Sequence, residues 1–405
     1  MLFNCDIICI IDYTEFYLIQ HEIGVNKLEA YFDNSATTKP YSEVMDIMAY
    51  TMKNYYANPS SAYSIGMNAE RKIDECRDII AHSLNCSRDE IIFTSGGSES
   101  NNFLIRGFLS AGKHIITTKI EHPSVINTCK YLESQGIKVT YLDVDKTGRI
   151  NIDELLKNVN KETVLVSIMH TNNETGILQD IENIGKALKE KSSRVKFHVD
   201  AVQGYGKYKI DVKRCSIDLL SVSGHKIHGP RGIGIAYLKS GLRPKPLIYG
   251  GGQERGFRSG TENLAAIAGF AEAAEITYKT YGDNFKKVSK VKGYFIDKLK
   301  DIPDVRINSN GHIYSPYVLS VSFSGVRGEV LLHMLEDKGI FVSTGSACSA
   351  RDNKESHVLK AIGLTGEEIR GTIRFSFSQF NTKEEIDYTM EVLDKSLKFL
   401  RRIKI

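Results

Sequence analysis

The sequence has no apolar run long enough to cross a bilayer, so it does not predict a membrane-spanning protein. Its apolar beginning is interrupted by Asp6 and Asp12 and lacks a basic region or small-residue cleavage site, which argues against a signal peptide. Seven scattered cysteines without a Cys-x-x-Cys pair indicate reduced thiols in the cytoplasm, not a secreted disulfide scaffold. The net charge is only +4, and the single basic block, 401–404, is typical of a helix end, so direct nucleic-acid binding is not expected.

The composition that remains is typical of an ordinary globular protein, with 41% hydrophobic and 25% charged residues. A chain of 405 residues is too long for one simple core, so two domains are expected. Residues 1–29 lack a regular period and are interpreted as an N-terminal extension, which leaves open whether they belong to the native protein. We predict a large domain over 30–263, whose first residues could pack with the small domain, and a smaller C-terminal α+β domain over 264–405.

Apolar strands alternate with amphipathic helices through the large domain, which predicts an α/β fold with a mostly parallel seven-stranded sheet covered by helices. Strands are predicted at 90–94, 114–118, 138–142, 163–169, 196–199, 217–222 and 232–238. Helices are predicted from Ser42, as a cap, and at 67–84, 99–109, 123–135, 152–159 and 181–191.

The smaller domain has a different pattern of shorter strands and longer helices. Two helices are predicted at 264–281 and 285–299. Strands are predicted at 318–323, 340–343 and 373–377. A last helix opens with a capping box at 382–385.

Ligands of open α/β sheets bind beyond the carboxyl ends of the strands, so the strand ends are where chemistry is expected. The first strand ends in Ser95-Gly96-Gly97-Ser98-Glu99, followed by a helix whose N-terminus favours an anion such as a phosphate. A tight turn is the alternative interpretation. The spacing is neither of the Walker nor of the dinucleotide type, so ATP and NAD are not supported.

Three further strands end in residues that suit a flat aldehyde ligand. His122 could stack over a ring or move a proton, although a capping role is the alternative. Asp200, with Gln203 three residues on, could hold a proton on a ring nitrogen or merely cap a strand end. Lys226 follows the next strand in a Gly-bounded turn. Desolvation there would favour the neutral, nucleophilic amine, and a solvated turn lysine is the alternative interpretation. An aldehyde cofactor with a phosphate tail needs this combination of groups.

Two residues of the smaller domain are chemical candidates. Cys348 lies in the small-residue loop Ser343-Thr344-Gly345-Ser346-Ala347-Cys348, which would leave a thiol accessible, whereas a structural cysteine is usually enclosed. Arg374 lies in an apolar strand and needs a partner, either a substrate carboxylate or a structural acidic residue.

With these residues in place, the sequence resembles the NifS/IscS-like cysteine desulfurases of the class V aminotransferase family, which are pyridoxal-phosphate enzymes of fold type I. The resemblance covers about residues 30–395. Its motifs are Asp33-Asn34-Ser35-Ala36-Thr37-Thr38, residues 94–100, Glu121-His122, Asn172-Asn173-Glu174, His198-Val199-Asp200-Ala201-Val202-Gln203, Ser223-Gly224-His225-Lys226, residues 254–261 and Gly345-Ser346-Ala347-Cys348.

The resemblance implies a role for each matching residue. Lys226 would form the Schiff base with pyridoxal 5'-phosphate, Cys348 would accept sulfur, and His122 would stack on the ring and assist proton movement. Asp200 would pair with the ring nitrogen, and Gln203 would contact the ring hydroxyl. The phosphate would be bound by Gly97, Ser98, Ser223 and His225, with Thr261 supplied by the other subunit of a homodimer. The substrate would be bound by Asn34, Asn173 and Arg374, with Asn173 also beside the cofactor; no metal is implied.

The implied activity is removal of sulfur from L-cysteine, giving L-alanine and a Cys348 persulfide for an acceptor protein. That acceptor could be an iron–sulfur scaffold or a tRNA-thiolating enzyme, and segments 342–345 and 356–360 resemble the Firmicute branch associated with tRNA thiolation. A selenocysteine lyase or another class V enzyme is one alternative. A non-catalytic sulfur carrier or assembly subunit is another, although the presence of both Lys226 and Cys348 argues against it.

Overall fold

The computed structural model of the protein describes residues 28–109, 113–345 and 355–403. The predicted extension therefore lies almost wholly outside the described residues. The elements of the first part are β1 (Ala30–Tyr31), α1 (Ser42–Asn54), α2 (Ser64–Leu84), β2 (Ile91–Thr94), α3 (Gly97–Arg106), β3 (His114–Thr118), α4 (Pro123–Ser134), β4 (Lys138–Leu142), α5 (Ile152–Asn158), β5 (Thr163–Met169), α6 (Ile181–Lys191), β6 (Lys196–Asp200), β7 (Leu219–Ser223) and β8 (Gly234–Leu238).

The second part is dominated by one long helix, which is followed by shorter elements. These elements are α7 (Leu264–Leu299), β9 (Val305–Ile307), β10 (Val318–Phe323), α8 (Gly328–Glu336), β11 (Ile340–Phe341), α9 (His357–Ala361), α10 (Gly366–Arg370), β12 (Thr372–Ser376) and α11 (Lys383–Ile403).

Seven strands form the central sheet in the order β2-β8-β7-β6-β5-β3-β4. All neighbours from β7 to β4 are parallel, whereas β8 runs antiparallel to both β7 and β2. Met169 pairs with Asp200, and Asp200 pairs with Ser221, so the carboxyl ends of β5, β6 and β7 lie at one level. The predicted fold class, with its mostly parallel seven-stranded sheet, is confirmed.

Alternating side chains of these strands cover both faces of the sheet. Ile91 and Phe93 point into the large cluster, which we define as the buried apolar residues between Val44 and Ala274 that pack with α1, α2, α6 and the start of α7. Ile92 lies on the opposite face, where it packs against α3 and α4. Burial on both faces explains why the strands read as continuous apolar runs.

A second cluster, here the C-terminal cluster, lies around the three-stranded antiparallel sheet β12-β10-β9. Its aromatic centre is formed by Phe295, whose ring lies 4.8 Å from that of Phe375 and 6.0 Å from that of Phe32. Phe32 belongs to the segment after β1, which pairs in parallel with β11. The start of the described chain thus packs with its C-terminal part; the division at 263/264 stays a prediction.

The helix α7 corrects the sequence-based prediction of two helices at 264–281 and 285–299. The chain continues helically through Gly282, where an added Cβ would meet none of the described residues within 4 Å. An interior glycine destabilises a helix by only about 1 kcal/mol, which is less than a proline would, and α7 contains no proline. The first half of α7 packs in the large cluster and the second half in the C-terminal cluster, so both ends stabilise it.

Other, smaller differences concern a helix cap and two short strands. Ser42 is the first residue of α1 and not its cap, because Tyr41 occupies that position and makes no side-chain cap hydrogen bond. Strand β9 is not predicted by the sequence, since its three residues carry too little pattern, and β11 ends two residues before the predicted 343. The capping box before α11 is confirmed, with Thr382 and Glu385 exchanging hydrogen bonds.

Within the described ranges, none of the helices combines the length and the apolar character that crossing a membrane requires.

Candidate active site

A cavity of about 230 Å³ opens at the carboxyl edge of the parallel strands. Ten of the thirteen predicted site residues line it: Gly97, Ser98, His122, Asn173, Asp200, Gln203, Ser223, His225, Lys226 and Arg374. The parallel connections explain this convergence, because each strand delivers its following loop to the same edge of the sheet.

One wall of the cavity is the N-terminus of α3. Gly96 has a φ of 150°, which favours glycine, and Gly97 is the first residue of the helix. A Cβ on Gly97 would lie only 2.6 Å from Cγ2 of Val202, so this position admits no side chain without movement. The first N–H groups of a helix have no intrahelical acceptor and favour an anion. Ser223 lies beside these glycines, with Oγ 3.6 Å from a Cβ built on Gly96.

Asp200 ends β6 and is almost completely buried. Its Oδ1 accepts from the backbone N–H of Val202 at 3.0 Å, and its Oδ2 accepts from Nδ2 of Asn101 at 2.8 Å. These contacts on both oxygens fix the carboxylate in the cavity wall.

His122 is the N-cap of α4, with its Nδ1 accepting from the backbone N–H of Ser124 at 3.1 Å. Burial lowers the pKa of His122, and the charges of Lys226 and His357 lower it further, whereas Asp200 raises it. The ring therefore favours the neutral state. The capping role that position suggested and a place on the cavity are both present in this residue.

Lys226 follows β7 in a short 3₁₀ turn and lines the cavity. Its Nζ donates to the carbonyl oxygens of Ser35 and Ala36 at 2.5 and 2.8 Å. The neighbouring His225 contacts Thr37 Oγ1 at 3.2 Å, and burial, aided by the Lys226 charge, lowers the pKa of His225 to about 4.

Gln203 is buried and held at both ends of its amide. Its Nε2 donates to the Ser35 carbonyl at 2.9 Å, and its Oε1 accepts from Nζ of Lys207 at 3.2 Å. Burial, with the charges of Lys226 and Arg374, lowers the pKa of Lys207 to about 7. Lys207 therefore fixes which end of the Gln203 amide faces Ser35.

Arg374 projects from β12 and is the part of the cavity that the C-terminal sheet supplies. It donates from Nη2 to Asp33 Oδ1 at 2.7 Å and from Nη1 to the carbonyl of Asn173 at 2.9 Å. Within the described ranges its buried Nε has no hydrogen-bond partner. Arg374 thus has the acidic partner of one interpretation and also lines the cavity, while its contact with a substrate carboxylate stays a prediction.

Two predicted site residues do not line the cavity, and a third lies outside the described residues. Asn34 is buried beside it and donates to the carbonyls of Ser376 and Tyr31 at 3.0 and 3.2 Å, so its amide stabilises the chain after β1. Thr261 is exposed, away from the cavity of its own chain. Cys348 lies outside the described residues.

Sequence reasoning missed several residues that line the same cavity. They include Asn101, Ser124, Thr171 and Val202. Asn101 follows Gly97 by one helical turn, and that spacing places both on one face of α3. Ser124, two residues after His122, carried no comparable signal, because a serine in a first helical turn is commonplace.

The residues present fit pyridoxal phosphate. The glycine cradle at Gly97 leaves room that a Cβ would fill, and a helix N-terminus there suits the phosphate. A carboxylate and a lysine amine line the same cavity, as a ring nitrogen and an aldehyde require. Fold and cavity together define the class, an α/β enzyme of the pyridoxal-phosphate-dependent fold type I.

Comparison with known proteins identifies the family. The family model described as aminotransferase class-V matches residues 30–389, and the chain belongs to this family. A cysteine desulfurase IscS from Clostridium botulinum (strain Hall) is 42% identical over 382 residues, which cover 93% of this chain and 96% of that protein.

Two solved structures agree with this assignment. A NifS-like protein superposes with a TM-score of 0.87 at 38% identity, covering 92% of this chain and all of the other. A structure described as SspA in complex with cysteine gives 0.77 at 36% identity, covering 87% and 100%. The predicted family, with its NifS/IscS-like cysteine desulfurase branch and enzyme class, is therefore confirmed.

Proposed function

We propose that the protein is a pyridoxal-phosphate-dependent cysteine desulfurase, which transfers sulfur from L-cysteine to Cys348 and releases L-alanine. The observation that carries the proposal is the presence of Lys226, Asp200 and Arg374 around one cavity at the carboxyl edge of the sheet. Pyridoxal phosphate, when bound, supplies an electron sink that stabilises negative charge at the substrate Cα and weakens the Cβ–S bond.

Residues at the N-terminus of α3 and at or just after the ends of β6 and β7 would hold the coenzyme. The N–H groups of Gly97 and Ser98, with the side chains of Ser223 and His225, would bind the phosphate. Asp200, fixed by two hydrogen bonds, would keep the proton of the ring nitrogen in place. Gln203 would contact the ring hydroxyl.

Other residues that line the cavity would act on the amino acid. Arg374 and Asn173 would orient the substrate carboxylate, and the unpartnered Nε of Arg374 within the described ranges supports this role. The Lys226 amine would remove the proton from Cα, since it lies in the same cavity on a short turn. His122 would handle the proton of the substrate thiol.

Cys348 would be the sulfur acceptor. Its thiolate attacks the substrate sulfur, an S–S bond forms while the Cβ–S bond breaks, and the three-carbon fragment takes up a proton as it becomes alanine. The chain enters this segment from Ser343, which pairs with Arg374 through backbone hydrogen bonds of 3.2 and 2.6 Å. Five residues span at most about 18 Å, which is compatible with reaching the cavity.

The other cysteines that the structure describes are poor rivals. Cys76, Cys86, Cys129 and Cys215 are free thiols, and three of them are buried. Burial raises the pKa of Cys76 to about 11, and that of Cys86 and Cys129 to about 12. A protonated thiol is a weak nucleophile.

A homodimer in the cytoplasm is part of the proposal. Thr261 is exposed, as expected for a residue that would serve the partner's phosphate site. Large apolar side chains are also exposed along α1 and the following segment, among them Met52 (68%) and Tyr56 (76%). Exposed apolar patches of this kind are typical of protein interfaces. The persulfide would pass to an iron–sulfur scaffold or a tRNA-thiolating enzyme.

The test compares Cys348→Ser with a matched control, Cys86→Ser, in the full-length protein. With L-cysteine and a reductant, Cys348→Ser should release no sulfide although it still binds the coenzyme, whereas Cys86→Ser should keep wild-type activity. Mass spectrometry of the wild type should locate one added sulfur on Cys348. Full sulfide release by Cys348→Ser would contradict the proposal, as would turnover of selenocysteine but not cysteine by the wild type.

A further inference from the structure

A hydrogen-bonded chain joins the carboxylate of Asp200 to the imidazole of His122 through two side chains. Asn101 Nδ2 lies 2.8 Å from Asp200 Oδ2 and 2.8 Å from Ser124 Oγ. Ser124 Oγ lies 2.8 Å from His122 Nδ1. Asp200 and Asn101 are almost completely buried, so these contacts are made in surroundings where polar networks are strong.

The direction of each hydrogen bond follows from the chemistry of the Asp200 carboxylate. An ionised carboxylate only accepts, so the Asn101 amide nitrogen donates to Asp200. The second hydrogen of that amide goes to the Ser124 hydroxyl, whose own proton is then directed to His122 Nδ1. The backbone N–H of Ser124 donates to the same ring nitrogen at 3.1 Å.

A ring nitrogen that accepts two hydrogen bonds carries no proton, so neutral His122 has its proton on Nε2. Among the residues that the structure describes, no group forms a hydrogen bond with Nε2, and the ring lines the cavity. The proton-bearing nitrogen is therefore available to a ligand.

We propose that Asn101 and Ser124 are positioning residues, which link Asp200 to His122 and hold the His122 proton on Nε2 for the substrate thiol. The inference rests on the proposed function, because it places these residues in the cavity where cysteine would react. The carboxylate that serves the coenzyme ring thereby also sets the tautomer of the histidine that serves the substrate.

The groups around His122 determine how its pKa should change when one of these hydrogen bonds is removed. Lys226 and His357 favour the neutral ring, as burial does, and Asp200 favours the protonated one. The two hydrogen bonds accepted by Nδ1 also favour the neutral ring, since protonation would place a hydrogen on Nδ1, facing the two donor groups of Ser124. Loss of one of them should raise the pKa of His122.

The primary test is the tautomer of His122 in the full-length protein labelled with ¹⁵N-histidine, with and without added pyridoxal phosphate. Two-bond ¹H–¹⁵N correlations distinguish the tautomers, and a His122→Gln variant assigns the signal. The expected result is the Nε2–H form in both samples. A predominant Nδ1–H form would overturn the inference without needing any variant.

The second test titrates that signal in variants. Ser124→Ala should lower the acid dissociation constant of His122 by roughly two- to tenfold, because about one hydrogen bond that favours the neutral ring is lost. Ser124→Thr should restore the wild-type value. Thr128→Val is the matched control. The Thr128 hydroxyl donates to the Ser124 carbonyl at 2.7 Å, but it is not one of the groups that link Asp200 to His122. An unchanged titration in Ser124→Ala would overturn the role of Ser124.

A double-variant cycle tests Asn101. Asn101→Ala should shift the titration in the wild-type background but not on top of Ser124→Ala, because its effect passes through that hydroxyl. Equal shifts in both backgrounds would overturn the link. These measurements require no turnover, so absence of desulfurase activity would contradict the proposed function without changing the tautomer that the spectra report.

Discussion

The two halves of the molecule differ in what they bring to the cavity. The sheet of the large cluster supplies nearly all of the polar lining, from strand ends that are held in register by parallel pairing. The C-terminal cluster supplies Arg374 from an antiparallel sheet whose centre is a group of packed phenyl rings. The first half is thus built to hold a fixed ligand, and the second to bring one cationic group to it.

The difference suggests that coenzyme affinity and overall stability can be altered separately. Residues of the C-terminal cluster should affect stability and the amino acid substrate, whereas residues at the ends of β2, β6 and β7 should affect the coenzyme. The following predictions test this separation.

The largest effect is expected from Phe295→Ala in the C-terminal cluster. Phe295 is fully buried and contacts three other phenyl rings, so its truncation should cost about 3–5 kcal/mol of unfolding free energy. Urea unfolding measures the loss, and Phe399→Ala, at a side chain 55% exposed, is the control. Coenzyme affinity should stay unchanged; a parallel loss of affinity would show that the two halves are not separable.

The next effect is expected at the other end of the molecule. Gly97→Ala should weaken pyridoxal phosphate binding by roughly ten- to hundredfold, since the new Cβ would displace the N-terminus of α3 from the phosphate and lose charge-assisted hydrogen bonds. Fluorescence titration of the apoprotein gives the affinity. Gly293→Ala, in open space on α7, should bind normally. If Gly97→Ala binds pyridoxal phosphate with wild-type affinity, the glycine turn at Gly97 does not bind the phosphate.

A pH-dependent effect is expected beside His122. Glu121 is fully buried, its Oε2 has no partner among the described residues, and burial raises its pKa from 4.5 to about 8. The unfolded chain therefore ionises Glu121 at lower pH than the folded chain, and stability falls as pH rises from about 4.5 to about 8. Glu121→Gln should remove this loss.

The measurement is the thermal midpoint of wild type and Glu121→Gln at pH 5 and pH 8. The advantage of the variant should be larger at pH 8, by a few degrees, and should not grow further above that pH. Glu190→Gln, at an exposed position, is the control. An equal difference at both pH values would show that Glu121 does not titrate as its burial implies.

The smallest effect is expected where the halves meet. Gly282→Ala should stabilise the protein by about 0.5–1 kcal/mol, because an added Cβ at Gly282 has open space within α7 and alanine restricts the unfolded chain. Calorimetry measures this gain. Destabilisation would indicate that the joint between the two halves needs the freedom of glycine.

Prediction from sequence succeeds where the pattern is local and repeated. Strands β3, β4 and β5 have the bounds that the sequence predicts, since apolar runs bounded by polar turns define them. It fails for α7, where Gly282 and its polar neighbours suggest a break that packing at both ends overrides. The polar residues at strand ends can be found because parallel topology fixes where such ends meet.

The site also contains relations that no local pattern carries. The sequence predicts that Arg374 needs a partner, but the choice of Asp33, 341 residues away, depends on how β12 lies against the start of the chain. Asn34 belongs to a matching motif, yet its amide hydrogen-bonds to backbone around β1 and β12. The Asn101–Ser124 contact likewise joins two helices that only the sheet brings together.

The sequence by itself determined the α/β architecture, the family, and the edge of the sheet at which the reactive groups gather. These follow from periodicity and from motifs in which each residue type suits one task. Tertiary structure alone decided which groups touch, because a hydrogen bond requires its two atoms within about 3 Å, and that distance depends on how distant segments pack.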